Sequence, residues 1–88
     1  MSDDRTIEQR LLQYLHEHHL VRGPIDCQTD LIQSGQLDSL VVMDVVGFVA
    51  SNFRIEMSPH EISPDNLRSV ERLARFVAAA SRVSGEAA

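Results

Sequence analysis

The stretch Asp38-Ser39-Leu40-Val41-Val42-Met43-Asp44-Val45-Val46-Gly47-Phe48-Val49-Ala50-Ser51-Asn52-Phe53 decides what kind of fold this chain adopts. So many valines would suit a β-strand, since branching at Cβ favours the pleated backbone. Two observations argue for a helix instead. Val42, Val45, Val46, Val49 and Phe53 recur at spacings of three, one, three and four, which line one face of a helix. Asp44 and Gly47 interrupt the run, and it is far longer than the usual strand of about 5–6 residues. A helix from Asp38 to about Asn52 is therefore expected, nearly apolar all round.

The segments around it read the same way. On the N-terminal side, Gly23 to Leu37 has no sustained period and is rich in Gly, Pro, Asp, Ser, Thr and Gln, so it reads as a long surface loop. A loop of this length in a small domain usually has a function, and Leu31, Ile32 and Leu37 are the residues expected to pin it to the helices. Before it, Ile7, Leu11, Tyr14 and Leu15 mark an amphipathic helix over 5–19, with Ser2, Asp3 and Asp4 as capping groups and Gly23-Pro24 beyond its end. On the C-terminal side, Ser58-Pro59-His60-Glu61 has the form of a capping box with Pro at the first helical position. A short third helix is expected to start there and to be closed by Ser63-Pro64, because the residue before Pro avoids the helical region. Val70, Leu73, Phe76, Val77 and Ala80 define a fourth helix over 69–82, capped by Ser69. Val83 to Ala88 read as a frayed tail.

The fold expected is thus an all-α four-helix bundle of three main helices and a short third one, with the long loop between helices one and two. Its 88 residues make one domain, over 1–83, with 84–88 as tail, because two pieces would each be too small to bury a core. The chain is 43% hydrophobic and lacks Trp, so aliphatic side chains must fill the interior. A net charge of −5 repels a phosphate backbone and argues against nucleic-acid binding. Cys27 stands alone, which excludes an internal disulfide and leaves a structural thiol in a reducing compartment. Acidic leading residues with no apolar run behind them give neither a secretory signal nor a membrane span, and the expected location is the cytoplasm.

The run Asp30-Leu31-Ile32-Gln33-Ser34-Gly35-Gln36-Leu37-Asp38-Ser39-Leu40 leads straight into the valine-rich helix. A Ser that is to carry a bulky anionic group must be exposed and held in place, and a helix N-terminus does both, since its unpaired amides and positive dipole end favour negative charge. This run resembles the attachment motif of phosphopantetheine-bearing acyl and peptidyl carrier proteins, whose signature is matched by Asp38-Ser39-Leu40. Phe53-Arg54-Ile55 and Ile62-Ser63-Pro64-Asp65-Asn66-Leu67-Arg68-Ser69-Val70 resemble the entries to the third and fourth helices of free-standing carriers, so the likeness spans nearly the whole chain.

The resemblance implies 4′-phosphopantetheine, taken from coenzyme A, on Ser39. Asp38 would cap the helix and help a phosphopantetheinyl transferase and its magnesium ion engage the site, while Leu40 would dock against the enzyme or the arm. The chain would then be a non-catalytic, monomeric carrier holding an acyl or aminoacyl intermediate as a thioester. Further partners would be an acyl- or aminoacyl-loading ligase and downstream synthase or tailoring enzymes of a polyketide, fatty-acyl or nonribosomal peptide pathway. Carriers of general fatty-acid synthesis have a strongly acidic second helix. Here Asp44 is its only acid, which points to apolar docking and a specialised pathway. Leu37, Val41, Met43, Asp44, Gly47 and Phe48 are the residues expected to meet partners.

Other readings weigh against these. Asp38-Ser39 is also an ordinary helix start, both types being favoured caps. Val41 and Phe48 would on the plainer reading pack beneath the loop or the third helix. A competing reading makes the chain an unmodified helical module that docks on one partner through the apolar surface near Val41 and Phe48. A catalytic Ser39 lacks a base, the nearest histidines in sequence being His19 and His60. His16, His18 and His19 have no further Cys or His at metal-ligand spacing and read as surface residues, as do Arg72, Arg75 and Arg82 on the last helix.

Overall fold

The computed structural model describes residues 4–18 and 20–87, with side-chain surroundings as far as Ser81. Four α-helices, and no strand among the described residues, make up the chain: α1 Asp4–Glu17, α2 Ser39–Phe53, α3 Pro64–Leu67 and α4 Val70–Ala87. This is the all-helical bundle that the periodicities predict. Ser2 and Asp3, expected to cap α1, His19, expected at its end, and Ala88 lie outside the described residues.

Packing explains why the pieces take these positions. α1 buries Ile7, Leu11 and Leu15, one residue per turn, against α4, which buries Val70, Leu73, Ala74, Val77 and Ala78. Small Ala74 and Ala78 let the neighbouring backbones come close, and each fully buried Leu, Ile or Val contributes roughly 1.5–3 kcal/mol relative to exposure. α4 brings its backbone within 8 Å of all three other helices, whereas α1 and α2 nowhere approach each other that closely. α4 continues to Ala87, past the end at Arg82 and through most of the expected tail. A single Gly85 costs a helix only about 1 kcal/mol, and without a Pro nothing there forces a stop.

Two expectations about the middle of the chain need correction. The stripe that α2 buries is Val41, Val45 and Val49, while Val42, Val46 and Phe53 are half-buried. α2 meets only α4 closely, so a single row four residues apart faces the core. The short helix does not start at Ser58. Glu61 does reach back to accept the Ser58 N–H at 2.8 Å, yet only a turn forms over 59–61. Ser63 must be extended because Pro64 follows it, and it is (φ −125°, ψ 158°), which ends that turn. The same backbone makes Ser63 an N-cap and Pro64 a favoured first residue, so Ser63-Pro64 opens α3 where it was expected to close it.

The connection between α1 and α2 is tied down along its length. Asp26 accepts from the Gln28 N–H and the Thr29 hydroxyl, and Asp30 accepts from the Ile32 and Gln33 N–H groups, forming two side-chain-closed turns. Leu31 is buried and its N–H donates to the Arg68 carbonyl at 2.7 Å, while the Cys27 carbonyl accepts from the Glu71 N–H at 2.9 Å. Leu31 thus pins the loop as expected and Leu37 is half-buried, but Ile32 faces solvent. A rigid loop of this kind delivers Asp38 and Ser39 to one place.

Candidate functional site

Asp38 has extended backbone (φ −121°, ψ −178°), and its Oδ1 accepts the Val41 N–H at 2.9 Å, which makes it the N-cap of α2. Its carbonyl takes the Val42 N–H at 2.9 Å. Ser39 is the first residue of the helix, and its side chain is exposed. No hydrogen bond engages its hydroxyl among the described residues, and the N–H groups of Ser39 and Leu40 have no acceptor there. A free hydroxyl beside two open amides at a positive helix end suits a covalently attached phosphate, so the residues present fit phosphopantetheine.

The outer face of α2 is equally open. Leu40 is 77% exposed and Met43 65%, while Asp44 and Gly47 also face solvent. Val41 does not belong with them. It is 8% exposed and sits in the core beside Val45, because it lies one turn before that residue on the face turned to α4. Leu37 is half-buried and lines an apolar groove with Val42, Ile62 and Leu67. The structure therefore brings Asp38, Ser39, Leu40, Met43, Asp44 and Gly47 together on one accessible surface and removes Val41 from it.

Phe48 is half-buried for a reason the sequence does not display. It stacks on Tyr14 of α1 with ring centroids 4.1 Å apart and meets Phe53 edge-on at 5.9 Å. Arg10 lies 4.7 Å over the Phe53 ring and donates to Asn52 at 3.2 Å. These side chains bridge the gap between α1 and α2. The Tyr14 hydroxyl donates to the Asp44 carbonyl at 3.2 Å, and burial first, then the Asp44 charge, raise its pKa and keep the proton on it. His18 leans on the same tyrosine ring at 4.6 Å.

The other polar clusters are engaged in local structure. Ser58, His60 and Glu61 cluster, but the Ser58 hydroxyl donates to Glu61 at 2.8 Å and lies 3.4 and 3.3 Å from the two His60 ring nitrogens, so neither nitrogen is aimed at it. The Glu61 carboxyl is held below its ordinary range by the Ser58 N–H, then the Ser58 hydroxyl, and then His60. Cys27 is half-buried, and burial, followed by Glu8, Asp26 and Glu71, pushes its thiol up, which suits a structural thiol. No group of three or more His, Cys, Asp or Glu that could hold a metal ion occurs among the described residues, and no helix there is long and apolar enough to cross a membrane.

Sequence reasoning missed one feature of the site. The Arg22 N–H donates to Gln36 Oε1 at 2.7 Å, and Gln36 Nε2 donates to the Arg22 carbonyl at 3.0 Å, closing the two ends of the long loop on each other. A contact between residues fourteen apart across an aperiodic loop leaves no spacing signal. No protein-family model matches the chain, and no curated protein or solved structure matches it either.

Proposed function

We propose that this chain is a free-standing carrier protein that holds an acyl or aminoacyl intermediate as a thioester on phosphopantetheine attached to Ser39. The observation that carries the reading is the exposed, unengaged Ser39 hydroxyl at the start of α2, capped by Asp38 and delivered by a loop tied to the core. The four-helix order and the open face of Leu40 and Met43 support it.

In the attachment step, Ser39 Oγ forms a bond to the phosphorus of coenzyme A that bears the pantetheine, and the pyrophosphate bridge breaks. Adenosine 3′,5′-bisphosphate leaves, and the serine proton passes to a base supplied by the phosphopantetheinyl transferase with its magnesium ion. Once bound, the group supplies a terminal thiol for cargo. The chain's own part is structural. Asp38 fixes the first turn, the open Ser39 and Leu40 amides would hold the phosphodiester, and Leu40, Met43, Asp44 and Gly47 would present a surface with little charge to a loading ligase and to synthase or tailoring enzymes. No catalytic role falls to the chain itself. We place it in the cytoplasm as a monomer serving a specialised pathway.

The test is to incubate the purified chain with coenzyme A, magnesium and a promiscuous transferase and to weigh it intact beside Ser39→Ala. A gain of one phosphopantetheine on the wild type alone is expected. No gain on a folded wild type, with a known carrier labelled in parallel, would reject the reading in favour of an unmodified module docking through Leu40 and Met43.

A further inference from the structure

Two hollows flank the start of α2, and their chemistry differs. On one side Leu20, Val21, Arg22, Gln36, Asp38 and Leu40, together with Asp44, line a cleft of about 350 Å³. On the other, Ile32, Leu37, Val42, Ile62 and Leu67 line a groove of about 300 Å³. Ser39 lies between them in sequence, since Asp38 and Leu40 belong to the first and Leu37 and Val42 to the second.

Building on the carrier reading, we infer that the arm on Ser39 rests in the first cleft, against Leu20 and Val21, and is held at its rim by Gln36 and Arg22. A phosphopantetheine arm carries an anionic phosphodiester, a hydroxyl, a pair of geminal methyls and two amides. Its polar groups need partners wherever they leave water. Gln36 is fixed by its two bonds to Arg22, yet these use one of its two N–H donors and one lone pair of its oxygen, so a donor and an acceptor remain free. The Arg22 guanidinium has no hydrogen-bonding or ionic partner among the described residues and is the one cation in a lining that also holds the Asp38 and Asp44 carboxylates, so it is the side chain available to meet the phosphodiester. Leu20 and Val21 are half-buried and offer an apolar wall for the methyls.

The second groove lacks these provisions. Ser63 is its one polar side chain, and the Ser63 oxygen already accepts the Asn66 N–H as the cap of α3. Amides laid there would meet fewer side-chain partners than in the first cleft. The Arg22 to Gln36 clasp also joins the rim of the cleft across the two ends of the loop, so it sets the opening that the arm must enter.

The experiment uses the full chain, isotopically labelled and loaded with an unlabelled arm from coenzyme A, with mass spectrometry first confirming attachment. Isotope-filtered NMR should show contacts from the geminal methyls of the arm to the methyls of Leu20 and Val21. Arg22→Met, which alters an exposed side chain without touching the clasp, should weaken those contacts at least twofold, and Gln36→Ala should do the same with folding checked by circular dichroism. Contacts to Ile62 and Leu67, contacts to nothing beyond Leu40, or a pattern unmoved by both substitutions would overturn the inference. A chain that takes up no arm at all fails at the mass step, and there it is the carrier reading that falls.

Discussion

α2 and α4 are the two longest helices, and the one that is more apolar in sequence buries the narrower stripe. α4 turns Val70, Leu73, Ala74, Val77 and Ala78 inward, the full pattern of three, four, seven and eight that a core helix shows. α2 turns in only Val41, Val45 and Val49, and it displays Leu40 and Met43 to solvent. Apolar content therefore did not set burial. What set it was the number of neighbours. α4 lies against three helices, while α2 lies closely against one and is propped from α1 by the Tyr14 to Phe48 stack. α4 holds the fold together, and α2 presents a surface.

If that contrast is right, equal cuts in the two helices should have unequal effects. Leu73→Ala removes a side chain that is 5% exposed and should lower unfolding free energy by about 2–5 kcal/mol, whereas Leu40→Ala should change it by less than about 0.5 kcal/mol. Urea unfolding monitored by circular dichroism gives both numbers. Comparable losses at the two positions would mean that α2 is as covered as α4, and the distinction would collapse.

The next effect is smaller and sits at the base of the displayed helix. Asp38→Ala removes the cap that receives the Val41 N–H and should cost about 1 kcal/mol. Asp38→Asn keeps an acceptor in the same place and should hold stability within a few tenths of a kcal/mol, Asn and Asp being nearly equal caps. Comparing the rate of phosphopantetheine uptake in the two variants then separates the helix start from the charge. If Asn restores stability but not uptake, the carboxylate itself is read by the transferase. If Asn restores both, Asp38 acts as a cap alone.

Much of this was legible beforehand, and the failures have physical causes. Helical spacing and caps at Asp38 and Ser69 gave three long helices with starts within a residue of those observed, because a periodic apolar face is a property of the segment itself, whereas the end of α4 ran on from Arg82 to Ala87. Ser58 and Ser63 both precede a proline, and local chemistry alone could not tell which would propagate a helix. That depended on Pro64 forcing Ser63 extended, which cut one turn and founded the other. On α2 nearly every position is apolar, so the periodicity could be rotated by one residue with little loss of fit. Val41 was consequently placed outside and Val42 inside. Of the site, Asp38, Ser39 and Leu40 stood out as a contiguous motif. Arg22 and Gln36 did not, since they meet only when the loop closes.

The smallest expected effect tests the display surface most directly. Met43 is 65% exposed on the outer side of α2, with no packing role that the core requires of it. Met43→Ser should leave unfolding free energy within about 0.5 kcal/mol of the wild type, because a side chain that is wet in both states has little transfer energy to lose. A silent substitution for folding can still matter for docking. With Leu40→Ser alongside, it should slow transfer of cargo by a loading enzyme while leaving intact-mass labelling of Ser39 complete at long times. A loss of more than about 1 kcal/mol from Met43→Ser would say that something covers this residue in solution. A second copy of the chain is then the occupant to examine, because stability that falls on dilution is the signature of a face buried between protomers.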